Sequence, residues 1–246
     1  MRIKRILLIL FLLLLALAGG LAIFVSTSSE DLPDGIAGPK AEALTDKMFA
    51  AVGKEAWDST RFVQWSFRDS KHYVWNKEKH FVRVKWDDIT VYLNPSDKSG
   101  RVFQETTELS GDKKNELLQK AWDSFNNDSF WLIAPLKARD SGTTRKLVDT
   151  EEGPSLLVTY SSGGTTPGDS YLWLLDESGL PYAWKMWVKI IPVGGLEFTW
   201  ENYVATRTGV QIALDHKAES INVPISGVDF AMSLSDLNVS DTLLVH

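Results

Sequence analysis

The stretch from Asp169 to Tyr203 constrains the fold most, because apolar and polar residues alternate through much of it. A period of two is typical of a β-strand, in which successive side chains project to opposite faces of the sheet. Large apolar residues occupy alternate positions on both sides of residues 192–195. They are Tyr182, Trp184, Met186, Val188 and Ile190 in the first run, and Leu196, Phe198 and Trp200 in the second. The pattern predicts two antiparallel strands that share one apolar face.

A turn at residues 191–195 would fix the register of this hairpin. The facing pairs would then be Lys189 with Glu197, Lys185 with Glu201, Val188 with Phe198 and Met186 with Trp200. Opposite charges would meet on one surface and large apolar groups on the other, and both kinds of cross-strand pair stabilise a sheet. Because the charged pairs and the apolar pairs both match, the sequence favours this register.

The N-terminal region contains a long apolar run. Residues 6–25 are twenty consecutive residues without a polar side chain, and Arg2, Lys4 and Arg5 precede them. A helix of this length spans roughly 30 Å, the thickness of the hydrocarbon core of a bilayer. The positive-inside rule predicts an N-terminus in the cytoplasm and a body outside it, in the periplasm if the protein is bacterial.

A cleaved signal peptide is the alternative for the same residues. Ala16-Leu17-Ala18 has the small-x-small form of a cleavage site and follows a ten-residue apolar run. Cleavage near Ala18 would release a soluble secreted domain. The apolar run continues to Val25, which favours the uncleaved membrane anchor. Both hypotheses place the rest of the chain outside the cytoplasm.

Charge and cysteine content exclude several functions. Three of the 26 basic residues and none of the 32 acidic residues lie in residues 1–25, so the remaining chain has 23 basic and 32 acidic residues and a net charge of −9. Such an acidic body is a poor match for nucleic acid or an anionic membrane surface. The absence of cysteine excludes disulfides, thiolate metal sites and cysteine nucleophiles.

Residues 26–38 are polar and rich in serine and glycine, which predicts a linker before a single domain at residues 39–246. Pro39 is favoured at the first position of a helix, and Gly53 supplies a stop signal after it. From residue 60 to residue 93 the alternation, broken by turn residues, predicts an antiparallel meander. A further short strand is predicted at residues 101–104.

A helical insert follows the meander. Ser110 is a plausible cap for a helix with one apolar face, and Asn126-Asn127-Asp128 predicts its end before a short apolar segment at residues 129–136. These two pieces would cover the apolar face of the sheet. Strands are then predicted at residues 146–148, 155–160 and 210–214, with a flexible loop at residues 161–168. The tail from Lys217 has only weak patterning.

A family resemblance emerges from this order of elements. A helix ending in Ala50-Ala51-Val52-Gly53, consecutive strands, a helical insert and the hairpin Asp176-x-x-Gly179-Leu180-Pro181 resemble the lipoprotein-carrier superfamily (LolA/LolB-like) over roughly residues 39–215. The resemblance implies a mainly β, α+β fold, namely an incomplete antiparallel barrel whose concave apolar face is covered by helices and accepts acyl chains. The chain lacks the lipidated cysteine of LolB and, unlike LolA, has a predicted anchor. None of the family's functional residues can be matched individually.

Motifs for catalysis or metal binding are weak. The four histidines, His72, His80, His216 and His246, form no HExxH motif. His72 and His80 could be neighbours across a hairpin, but exposed strand histidines are the simpler interpretation. Residues 161–164 are rich in serine and glycine but lack the lysine of a phosphate-binding loop. We therefore expect no enzyme activity, no metal and no cofactor.

Ten tryptophans are the unusual feature of the composition. They fit a packed core, an aromatic cavity for an apolar ligand, or platforms that stack on sugars, for which Trp187 on the polar face gives slight support. We favour a membrane-anchored, exported domain that binds a hydrophobic small molecule or lipid. The alternatives are an envelope module with a filled core and a carbohydrate-binding module. The candidate cavity residues are Trp173, Trp184, Met186, Val188, Phe198 and Trp200.

Overall fold

The computed structural model describes residues 29–162, 167–219 and 221–244, and these form a mainly antiparallel β structure with a few helices. The apolar run at residues 6–25 lies outside the described residues, as do residues 163–166 of the loop that was predicted to be flexible. Within the described ranges, none of the helices combines the length and the apolar character that crossing a bilayer requires. The described strands do not close into a barrel.

A seven-stranded antiparallel sheet contains the first half of the chain. Its order is β16-β1-β2-β3-β4-β5-β6, so the predicted meander is confirmed from β1 to β5. Its strands are β1 (Phe62–Phe67), β2 (Lys71–Asn76), β3 (Phe81–Trp86), β4 (Ile89–Leu93), β5 (Gly100–Gln104), β6 (Thr107–Glu108) and β16 (Ile225–Ala231). The addition of β16 to β1 was not predicted, because the tail that contains it has weak alternation.

A five-stranded antiparallel sheet has the order β11-β10-β9-β8-β7. Its strands are β7 (Thr143–Thr150), β8 (Gly153–Tyr160), β9 (Ser170–Leu175), β10 (Pro181–Trp187) and β11 (Leu196–Thr199). Two short ribbons complete the strands. They pair β12 (Glu201–Ala205) with β13 (Gln211–Asp215), and β14 (Lys217–Ala218) with β15 (Ile221–Asn222).

The register predicted for the β10–β11 hairpin is wrong. Lys185 faces Glu197, and Met186 faces Leu196, because the connection is longer than a turn at residues 191–195 and occupies residues 188–195. Lys189 belongs to this connection. Its backbone N–H donates to Asp169 Oδ1 at 3.1 Å, and its ammonium donates to the Pro167 carbonyl, so it cannot face Glu197.

Three helices accompany the sheets: α1 (Pro39–Val52), α2 (Lys54–Ser59) and α3 (Gly111–Ile133). Both predicted ends of α1 are confirmed. Pro39 stands at its start, and Gly53 adopts the left-handed conformation after its end, with φ 78°. A Cβ at Gly53 would lie 2.7 Å from the Gly209 carbonyl oxygen, so both the backbone angle and the close packing require glycine.

The predicted break at residues 126–128 does not occur. Helix α3 is 23 residues long and runs through this triplet to Ile133, and a 3₁₀ turn (Ala134–Lys137) follows it. Asp128 is almost completely buried and accepts hydrogen bonds from the Tyr73 hydroxyl and the Asn127 amide. The Lys71 ammonium lies 3.5 Å from the same carboxyl group. Tyr73 and Lys71 of β2 thus provide partners for the Asp128 carboxyl group, which would otherwise favour a helix end.

The main core lies where α3 meets both sheets. Phe125 packs on Trp65, Tyr73 and Trp75 of the seven-stranded sheet, with ring centroids 5.1 to 6.5 Å apart. About one and a half turns later, Phe130 and Trp131 pack on aromatic rings of the second half of the chain. Each aromatic contact adds to the free energy of burying the rings. The helix therefore joins the two sheets through one hydrophobic core.

The chain segments at both ends of the described structure cover the outer faces of the sheets. Leu237 and Leu244 pack on Phe62, Val74 and Tyr92 of the seven-stranded sheet. Residues 29–37, predicted as a linker, lie along the five-stranded sheet. There Ile36 and Leu147 exchange backbone hydrogen bonds of 2.8 and 2.9 Å, and the Glu30 carboxylate pairs with Lys185 at 2.9 Å.

The observed register can be tested by cross-linking, since the chain has no cysteine of its own. The Trp200 N–H donates to the Tyr182 carbonyl, which places Lys185 and Glu197 at a non-hydrogen-bonded pair. The Cα atoms of such a pair are about 4.5 Å apart, within disulfide range. We expect the double variant Lys185→Cys/Glu197→Cys to oxidise readily, as measured by thiol titration and mass spectrometry. Lys189→Cys/Glu197→Cys is the matched control, and preferential oxidation of that control would contradict the register.

The role of Asp128 can be tested by removing its acceptor oxygen. Asp128→Ala leaves the fully buried Tyr73 hydroxyl without its acceptor, which costs about 1–3 kcal/mol of unfolding free energy. Asp128→Asn keeps an acceptor oxygen and removes a charge whose burial raises the carboxyl pKa. We therefore expect a smaller loss for Asp128→Asn in urea unfolding followed by circular dichroism. Equal losses for the two variants would show that the hydrogen bond contributes little.

Candidate functional site

The six candidate cavity residues lie together and are buried. Trp173 is in β9, Trp184 and Met186 are in β10, and Phe198 is in β11. Val188 and Trp200 lie one residue beyond the ends of β10 and β11, and each of the six side chains is at most 7% exposed. Alternation in the sequence had placed five of the six on one apolar face, all except Trp173. Two further residues of the same alternation, Tyr182 and Ile190, are 40% and 75% exposed, so the predicted apolar face is wrong at both positions.

This face is filled by aromatic rings rather than open. Trp173, Trp184 and Trp200 form a triangle with ring centroids 5.0 to 5.1 Å apart. Trp131 of α3 packs on Trp184 and Phe198 at 5.0 Å each. At these separations the rings are in direct contact, so the face forms a packed cluster. We call these five residues the aromatic cluster.

His216 lies at the edge of the aromatic cluster and is a residue that the sequence did not single out. Its ring centroid is 4.3 Å from Trp200 and 5.4 Å from Trp131, and its side chain is completely buried. Burial lowers its pKa to about 4. The backbones of Thr199 and Trp131 oppose part of this shift, although neither ring nitrogen makes a well-formed hydrogen bond within the described residues. The imidazole is therefore neutral at pH 7.

A cavity of about 300 Å³ lies beside the aromatic cluster, between α3 and strands β8 and β9. Aromatic and aliphatic side chains form one part of its wall, and polar side chains form the other part. The apolar lining consists of Trp75, Phe125, Phe130, Ile133, Tyr160 and Tyr171. The polar lining consists of Asn126, Asn127, Ser129, Lys137, Asp140, Ser141, Ser162 and Asp169.

The two sides of the cavity differ in chemistry. Burial raises the pKa values of the Tyr160 and Tyr171 hydroxyls, so both phenols are neutral at pH 7. The Lys137 ammonium and the Asp140 carboxylate form an ion pair on the polar side, so their charges largely cancel. The Tyr160 hydroxyl and the Trp75 indole N–H have no hydrogen-bond partner within the described residues. Both atoms have almost no accessible surface, so the polar groups open to the cavity lie on its polar side, and the aromatic wall is suited to apolar ligand surface.

None of the six candidate residues lines this cavity. Tyr171 connects the two regions, since its ring lies 4.7 Å from Trp184 and also forms part of the cavity wall. Phe130 of α3 also connects the two regions, since its ring centroid lies 5.8 Å from that of Trp184 and its side chain forms part of the cavity wall. The sequence missed Phe130 as a lining residue because it predicted a helix break just before it. The sequence signal for Phe130 would have been an apolar helix face that continues without a break through residue 133.

The other candidate residues are separated from the cavity. His72 faces Lys85 and shares a hydrogen bond of 2.7 Å with Ser66, whereas His80 lies in the turn at the opposite end of β2. The two histidines are therefore not cross-strand neighbours. Trp187, considered as a sugar-stacking platform, is half-buried and donates its indole N–H to the Glu30 carbonyl at 2.8 Å.

No protein-family model and no curated protein matches the chain. A solved structure that it resembles is a DUF1329 family protein from Desulfovibrio piger, with a TM-score of 0.44 and 12% sequence identity, covering 83% of this chain and 98% of that chain. A likeness at this TM-score carries no argument about function.

The buried histidine predicts acid sensitivity. An unfolded histidine titrates near pH 6.5, whereas His216 titrates near 4 in the folded state, so the stability present above pH 6.5 is lost as the pH falls toward 4. This shift corresponds to a loss of up to about 3 kcal/mol. We expect His216→Leu to remove this part of the pH dependence, measured by urea unfolding between pH 7 and 4. Carboxylates, including the neighbouring Asp215, titrate in both proteins, so the difference between the two curves is the test. Parallel curves would contradict the assignment.

Proposed function

We propose that this protein is an exported, membrane-anchored domain that binds a hydrophobic ligand, such as a lipid or an acyl chain, without chemical conversion. In this proposal the two sheets form an incomplete barrel of the lipoprotein-carrier type, and α3 covers its concave face. The cavity beside α3 is the binding site. Residues 6–25 are the membrane anchor, and the three basic residues before them keep the N-terminus in the cytoplasm.

The cavity is the observation that carries this proposal. Its volume of about 300 Å³ falls at the lower end of the range for small-molecule pockets, and aromatic rings dominate its apolar wall. Burying apolar ligand surface against these rings contributes roughly 25 cal/mol per Å². A site of this size suits one end of an acyl chain or a small apolar molecule. The wall tyrosines are neutral at pH 7, so neither adds a negative charge to the site.

One observation favours the second candidate, an envelope module with a filled core. The aromatic cluster is closely packed around Trp184, and it includes four of the six residues that the sequence assigned to a cavity. If the domain only scaffolds other proteins, the cavity beside α3 is incidental. The two functions therefore differ in whether that cavity takes up a ligand.

Filling the cavity tests the proposal. Ser129 is on α3, is buried and lines the cavity, so Ser129→Leu places an apolar side chain in the space that the ligand would occupy. We expect wild-type protein to bind a fluorescent fatty acid in a titration, and Ser129→Leu to weaken that binding at least about tenfold, a loss of about 1.4 kcal/mol.

Met186→Leu is the matched control, because Met186 is equally buried in the same core but does not line the cavity. This change nearly conserves volume and should leave the affinity unchanged. Native mass spectrometry of gently extracted protein would show a retained lipid as added mass. Absence of probe binding by the wild type would favour the filled envelope module.

A further inference from the structure

The connection between β10 and β11 exposes apolar side chains. Ile190 is 75% exposed, Pro192 is exposed, and Ile191 and Val193 are only partly buried. Within residues 188–195, Lys189 is the one charged side chain and acidic residues are absent. Neighbouring exposed apolar side chains on an otherwise acidic body are a candidate interaction site. We call residues 188–195 the apolar loop.

The apolar loop is attached to the start of the described chain. The Glu30 N–H donates to the Gly194 carbonyl at 2.9 Å, and the Gly194 N–H donates to the Ser29 hydroxyl at 2.9 Å. The Lys185 ammonium and the Trp187 indole N–H bind Glu30 from the adjoining strand. Position 194 also excludes larger residues, since a Cβ there would lie 2.7 Å from the Glu30 carbonyl oxygen. These contacts fix residues 29 and 30 beside the loop.

The chain length then places the loop close to the end of the apolar run. Three residues, 26–28, lie between Val25, the last residue of that run, and Ser29, so four Cα-to-Cα steps join the two. Fully extended, four residues span at most about 14 Å. If residues 6–25 cross the bilayer, Ser29 lies within that distance of the end of the span. The apolar loop, hydrogen-bonded to Ser29, then lies at the surface of the same bilayer.

The loop also adjoins the cavity. Asp169 lines the cavity wall, and its Oδ1 accepts a hydrogen bond from the Lys189 backbone at the base of the loop. Asp169 therefore joins the cavity wall directly to the apolar loop. A ligand that leaves the bilayer next to the loop would emerge near the polar side of the cavity.

We propose that the apolar loop docks on the lipid bilayer that holds the N-terminal segment, with Ile190 inserted among the lipids. This proposal rests on the membrane anchor of the proposed function. It assigns the loop a role in presenting the cavity to the membrane, so that lipid enters without crossing bulk water. The body carries a net charge of −9, so apolar insertion and the anchor hold the loop in place rather than attraction to anionic lipid.

Single-cysteine labelling tests the proposal, because the chain contains no other cysteine. Ile190→Cys in the full-length protein is labelled with an environment-sensitive fluorophore and reconstituted into phosphatidylcholine vesicles that contain nitroxide-labelled lipid. We expect blue-shifted emission that the nitroxide quenches. Met232→Cys is the matched control, because Met232 is an exposed apolar residue at the end of the other sheet. Its label should stay unquenched. Equal quenching at the two positions, or none at position 190, would overturn the proposal.

A second variant separates docking from ligand binding. Ile190→Asp should slow the transfer of a fluorescent phospholipid from vesicles to the reconstituted protein, because a charge on the loop resists insertion. It should leave the equilibrium affinity for a dissolved fatty acid unchanged, since Ile190 does not line the cavity. Unchanged transfer would overturn the docking role while leaving the carrier function intact. Absence of fatty-acid binding by the wild type would instead overturn the proposed function.

Discussion

Helix α3 joins the two sheets, and the polar triplet in its middle is accommodated by the buried hydrogen bond between Asp128 and Tyr73. A polar triplet in the middle of a helix usually ends it, because short polar side chains compete for the backbone. Here the carboxylate is held inside the protein by a tyrosine of β2, so α3 continues for more than another turn. That extra length carries Phe130 and Trp131 to the second sheet. The contact between Asp128 and Tyr73 thus accompanies a helix long enough to pack on both sheets in one hydrophobic core.

The two end segments of the described chain contact the outer faces of the two sheets. An antiparallel sheet whose two faces both carry apolar residues must cover both. The seven-stranded sheet is covered on its outer face by Leu237 and Leu244, where Asp241 binds Arg83 and the Tyr92 hydroxyl at 2.7 and 2.8 Å. Residues 29–37 contact the outer side of the five-stranded sheet. Within this segment, Ser29 and Glu30 hydrogen-bond to Gly194 of the apolar loop. The residues that pack on the sheet therefore also hold the loop that we propose to contact the membrane.

The core is divided between a packed part and an open part. Around Trp184, large rings fill the space between α3 and the sheet, and there the structure resembles any close-packed interior. Beside it, Phe130 and Tyr171 form the boundary of a cavity. The packed part holds the helix against the sheet, which leaves the adjoining cavity wall preformed. A preformed apolar wall lowers the cost of ligand binding.

The sequence by itself determined the strands of the meander and the central strands of the second sheet, since alternation is a local property, and it placed Trp184 and Phe198 on one buried face. It also predicted both ends of α1 from Pro39 and Gly53. Tertiary structure decided the rest. The observed register places Lys189 in the connection, where its backbone N–H donates to Asp169, and the continuous α3 places Asp128 where it accepts from Tyr73. Whether a face is filled or open depended on Trp131, which approaches from another element. Such contacts join residues far apart in sequence, and no local pattern encodes them.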